Sequence, residues 1–121
     1  MTQLTKHFKS EEFECKCGQC GFDNINLELV AVLEHLREVY HHPIKINSGC
    51  RCYDHNKAVG GEDKSKHMQG IAVDFVIEGM SPAKIYQYLN SRFPDKYGIG
   101  EYRSWVHLDT RKGAAARWRK V

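Results

Sequence analysis

Between Asn26 and Tyr40 the apolar residues Leu29, Val32, Leu33, Leu36, Val39 and Tyr40 recur every three or four positions. That period puts one buried stripe on an amphipathic helix, which Asn26 caps and Pro43 follows. Beyond the helix the pattern changes. Ile44-Lys45-Ile46-Asn47 alternates as a short strand does, and Ile71 to Ile77 (IAVDFVI) is the most strand-like run in the chain. Ser81 and Pro82 open a second helix reaching about Ser91, with serine as cap and proline in the first turn. Two short strands follow, at Tyr97 to Gly100 and at Ser104 to Asp109. Ser10 to Phe13 reads as a capped helical turn, and Ser48 to Lys66 as an irregular polar connection. Ala114 to Val121 reads as a basic helical turn, its Arg117-Trp118-Arg119-Lys120 a solvated terminus. Helices mixed with close-spaced final strands predict the α+β class, a small antiparallel sheet flanked by helices. No repeat or linker divides the chain, so residues 1–121 are expected to form a single domain.

Composition removes several function classes. The 18 Lys+Arg against 15 Asp+Glu leave a net charge of +3, too mild for a dedicated nucleic-acid binder. No apolar run reaches the ~18 residues of a membrane span. The start, Met1 to His7, has a lysine but no apolar core behind it, so synthesis in the cytoplasm without a signal peptide is expected. A chain this small has a thin core, which a bound metal would reinforce.

Five cysteines cannot all pair within one chain. Cys15, Cys17 and Cys20 cluster in CKCGQC, and Cys50 and Cys52 in CRC. In a reducing compartment, free thiols or metal ligands come before disulfides. The two clusters offer enough thiolates for a second, structural zinc, with His55 a further candidate ligand. Buried thiols, or a disulfide formed after release into an oxidising space, are the alternatives.

The chemistry concentrates around Asp74, a carboxylate inside an apolar strand, where an ionised group is costly unless paired or bound to a cation. His67 precedes it by seven residues with Gly70 between, and His107 lies in another apolar strand, Trp105-Val106-His107-Leu108. Two imidazole nitrogens and one carboxylate oxygen leave a fourth tetrahedral position open, as catalytic zinc sites do and closed structural sites do not. In a chain with seven histidines such spacing also arises by chance.

Ser65-Lys66-His67-Met68-Gln69-Gly70-Ile71-Ala72-Val73-Asp74 matches S-x-H-x-x-G-x-A-x-D, and Trp105-Val106-His107-Leu108-Asp109 looks like the second ligand motif. Together they resemble the M15 peptidases: zinc D-Ala-D-Ala carboxypeptidases, D-Ala-D-Ala dipeptidases and phage L-alanyl-D-glutamate endolysins, whose fold is shared with the amino-terminal domain of hedgehog proteins. The opening HFKSEEFECKCG, the run Ile46 to Arg51 and the run His55 to Gly61 look like the short, phage-type branch. The likeness extends from about His7 to Arg111.

The resemblance implies a hedgehog-like peptidase fold with one catalytic Zn2+ on His67, Asp74 and His107. It implies that Arg51, sixteen residues before His67, holds the substrate near the scissile bond; an ion pair with Asp54 or Asp109 is the alternative. Ser65 belongs with Arg51 around the substrate and supports the metal loop; no histidine base pairs with it to make it a nucleophile. Many M15 enzymes carry an acid three residues before the last histidine ligand, where this chain has Ser104. Glu101 and Asp109 are the two candidates for general base, and Asp109 could instead orient His107 or Arg51. The implied function is zinc-dependent hydrolysis of peptidoglycan stem peptides, by a carboxypeptidase or an endolysin-type endopeptidase. The protein is expected to be a monomer that acts on the cell wall after release. A non-catalytic, zinc-stabilised binding module is the competing expectation. A nucleic-acid-binding zinc protein fits least, since the basic residues are dispersed and RNA-type aromatic signatures are missing.

Overall fold

The structure, a computed structural model, describes residues 2–121. Met1, part of the start discussed above, lies outside them. Helix α1 (Leu27–Tyr40) forms where the period places it, and the Asn26 side chain accepts the Leu29 N–H at 3.0 Å. Its buried stripe is Leu29, Val30, Val32, Leu33 and Leu36; Val39, expected in the stripe, is 41% exposed. Helix α2 (Tyr53–Ala58) lies inside the segment expected to be irregular, and helix α3 (Pro82–Arg92) starts at the Ser81 cap. Short 3₁₀ turns occupy Ser10–Phe13 and Lys66–Gln69.

Five strands, β1 (Ile44–Ser48), β2 (Ala72–Ile77), β3 (Gly98–Tyr102), β4 (Val106–Asp109) and β5 (Ala116–Lys120), form one sheet in the order β1-β2-β4-β3-β5. The first three pairings are antiparallel, and β5 lies parallel to β3. The α+β class stands, with a mixed sheet in place of an all-antiparallel one. The carboxyl-terminal segment is correspondingly a strand rather than a helical turn. Its backbone pairs with β3, while half-buried Arg117 donates to Asn90 Oδ1 and to the Tyr97 carbonyl, both at 2.8 Å.

Strand alternation gives the sheet two unlike faces. Val73, Phe75 and Ile77 of β2, Ile99 of β3, and Val106 and Leu108 of β4 join the buried residues of α1 and α3 in one core. Phe8 and Phe13 complete it from the amino-terminal segment. The intervening positions carry polar groups: Asp74 on β2, and His107 and Asp109 on β4. Among the described residues, no helix is long and apolar enough to cross a membrane.

Candidate metal centre and its cavity

Asp74 and His107 are direct cross-strand partners in the β2–β4 ladder, so register alone puts both side chains on the same face. His67 arrives from the Lys66–Gln69 turn just before β2. Ser65 Oγ accepts the His67 N–H at 3.2 Å and starts that turn. Gly70, at φ 71, ends the turn in the left-handed conformation that a glycine adopts without strain. The spacing of the motif is thus a turn followed by a strand. The donor atoms of His67, Asp74 and His107 all lie within 4.8 Å of one another.

Each histidine is held from behind. His67 Nδ1 lies 2.8 Å from the Gly49 carbonyl, leaving Nε2 facing Asp74 Oδ2 at 3.4 Å. His107 Nε2 lies 2.8 Å from Asp109 Oδ2, leaving Nδ1 facing Asp74 Oδ1 at 3.0 Å. The two outer acceptors can take only an N–H, which fixes each tautomer with its lone pair turned inward. Burial alone would raise the Asp74 pKa, but hydrogen bonds and charge from His107 and His67 hold it well below the usual carboxylate range. Burial would likewise lower that of His107; Asp109 and Asp74 raise it instead. Two imidazole nitrogens and one carboxylate oxygen fit a borderline divalent ion such as zinc, with room for a fourth ligand.

Arg51 reaches the same point from the segment between β1 and α2. A bulge in β1 between Ile46 and Ser48 sets Ser48 opposite Asp74. Ser48 Oγ accepts from Arg51 Nη2 at 3.2 Å, Asn56 Oδ1 accepts from Nη1 at 2.9 Å, and Nη2 is 3.9 Å from Asp74 Oδ2. The guanidinium pairs with neither Asp54 nor Asp109, and among the described residues its Nε has no partner. Arg51, Ser65, His67, Asp74 and His107 all line one open cavity of about 1180 Å³.

The family model described as Peptidase M15 matches residues 6–109 and therefore takes in this whole constellation. The chain belongs to the peptidase M15 family. That is a hydrolase family, and the His-Asp-His cluster is compatible with the metal of a metallopeptidase. No curated protein matches the chain.

The two candidates for general base stand differently toward the triad. Gly100, not Glu101, is the ladder partner of His107; Glu101 pairs with Val106 and leaves the sheet on the opposite face. It is buried there and accepts from Arg119 Nε at 2.8 Å. Asp109 shares the His107 face, as its two-residue offset predicts, but it is fully buried. Besides His107 it accepts from Arg111 Nε and Nη2, both at 2.8 Å. Burial would raise its pKa; Arg111 and His107 together hold it well below the usual range. Its contacts are to the His107 ring and to Arg111, with neither oxygen left free. The cavity's other acids are Glu62 and Asp63, both on the exposed loop before Ser65.

Three aromatic residues, Trp118, Tyr102 and Trp105, complete the site. Trp118 of β5 sits beside His107, ring centroids 5.1 Å apart, over the backbone of its ladder partner Gly100. A side chain at Gly100 would run into that indole. Tyr102 and Trp105 stack at 4.6 Å and line the cavity with it.

The cysteines divide four to one. Sγ atoms of Cys15, Cys17, Cys20 and Cys52 converge within 4.8 Å of one another. Cys50 instead belongs to the hydrophobic core, so its place among five candidate ligands does not stand. The ring of His55 is not among the converging donors.

Proposed function

We propose that the chain is one zinc-dependent peptidase domain, with His67, Asp74 and His107 as ligands, that hydrolyses peptide bonds in peptidoglycan stem peptides. The observation carrying this reading is the triad itself. Three donors of the right kind converge, and each histidine is backed by an acceptor that keeps its inward nitrogen free. A zinc ion held there would supply Lewis acidity toward a scissile carbonyl and lower the pKa of water.

The remaining residues act on the substrate. Arg51, fixed by Ser48 and Asn56, presents guanidinium donors beside the triad and grips a carboxylate or carbonyl with two parallel bonds. Lys64, Lys66, Arg111 and Lys120 line the same cavity against Glu62 and Asp63. This excess of cations suits a peptide rich in carboxylates, as stem peptides are. Tyr102, Trp105 and Trp118 offer flat apolar walls to its methyl groups. D-Ala-D-Ala carboxypeptidase and endolysin-type cleavage of L-Ala-D-Glu both fit this cavity. In either case the monomer would act at the cell wall after release.

The test uses purified protein, elemental analysis and mass spectrometry of digested muropeptides. His67→Ala should lose one equivalent of zinc and all cleavage, and unchanged metal content would overturn the ligand assignment. The non-catalytic binding module has one observation in its favour: neither Glu101 nor Asp109 offers a free oxygen to the triad. Zinc-loaded wild type that binds muropeptides but cleaves none, across wall types, would establish that alternative.

A further inference from the structure

We propose that Cys15, Cys17, Cys20 and Cys52 hold a second zinc ion in a closed, tetrahedral, structural site. The inference does not depend on the peptidase reading. A tetrahedron of sulfurs about 2.3 Å from zinc has S–S edges of roughly 3.8 Å, and the four Sγ atoms already stand within 4.8 Å of one another. Cys17 and Cys20 are 3.4 Å apart, far beyond the ~2.05 Å of a disulfide.

An independent observation is that the backbone points donors at every sulfur. Cys17 Sγ accepts from the N–H groups of Gln19 and Cys20, both at 3.4 Å. Cys20 Sγ accepts from Phe22 at 3.5 Å, Cys15 Sγ from Cys52 at 3.3 Å, and Cys52 Sγ from His55 at 3.4 Å. N–H groups aimed at sulfur are suitable outer contacts for a metal-bound sulfur ligand. They also exist because of sequence. Gly18 at φ 74 and Gly21 at φ 68 face open space, so they are needed for the left-handed turns that aim these amides, not for room. Cys50, two residues from Cys52, faces the core and donates its N–H to the Phe13 carbonyl at 2.8 Å. Arg51 is thereby flanked by one residue anchored in the core and one anchored in the proposed site. A metal there would tie the 15–22 loop to the segment that carries Arg51.

Reduced wild type should carry two equivalents of zinc. Cys20→Ser and Cys52→Ser should each lose one and, after cobalt substitution, the thiolate-to-cobalt charge-transfer absorption. His67→Ala should lose the other equivalent and keep that absorption, and Cys50→Ala should keep both metals. The two sites are thus read separately. Reduced wild type that takes up cobalt without thiolate absorption would overturn the proposal, as would a Cys20→Ser variant that retains both metals. Should the cysteine variants fail to fold, native alkylation of wild type decides: zinc should block labelling of the four cysteines and a chelator restore it. Equal labelling with and without zinc would sink the site.

Discussion

Asp109 has no contact with solvent, and both of its oxygens are engaged, one by His107 Nε2 and each by Arg111. Its substitution should therefore be felt through the metal rather than through a proton. Asp109→Asn should retain the fold but weaken zinc binding about 10–100-fold, the usual effect of losing a residue that orients a ligand. Competition against a chromogenic chelator reads this directly. Glu101→Gln should leave zinc affinity and cleavage unchanged, because that side chain lies on the far face of the sheet beside Arg119. A large rate loss in Glu101→Gln would return the base to that position. Arg51→Lys should keep full metal content yet raise KM for muropeptides, since an ammonium cannot reproduce the planar grip that Ser48 and Asn56 position. Steady-state kinetics with parallel elemental analysis separates that outcome from metal loss.

At the scale of elements, the site depends on a strand that lies beyond the family-matched residues. β5 follows residue 109 and brings Trp118 against His107 and Gly100. Gly100→Ala would push a methyl into the indole, an overpacking that typically costs 1–3 kcal/mol. Urea unfolding should show that loss, and Trp118→Ala in the same chain should relieve part of it. Why β5 escaped the sequence reading is physical: Ala114-Ala115-Ala116 favours helix locally, and the pairing with β3 that overrides it is a non-local contact. α2 escaped for another reason, since six residues carry too few turns to display an apolar period. α1, α3 and β2 were legible because cap, period and apolar run agree at each. The approach of His67 to Asp74 was legible too, because turn and strand fix their spacing locally. The face that Glu101 takes was not legible, because an offset along the chain says nothing about which residue opposes His107. Only the β3–β4 register decides that.

At the scale of the whole molecule, the amino-terminal segment is fastened to α1 through Glu34. Its carboxylate accepts the His7 N–H at 2.9 Å and faces the His7 ring. Burial would raise the Glu34 pKa, but these His7 contacts and Thr5 lower it. A carboxyl whose folded pKa is depressed adds stability above its unfolded value of about 4.3, and that stability fades as pH falls through the folded value. Wild type should thus be more stable than Glu34→Gln at neutral pH, with the gap closing in acid; melting curves of both across the acid range measure it. The Asp74–His107 pairing has a consequence for how the chain reaches this state. A slip of one residue between β2 and β4 would send one ligand to the core face and leave the other outside. Mispaired chains then cannot gather the three donors, so an ion at this centre would act as a proofreader of strand alignment during folding, withholding its binding energy from every misregistered competitor.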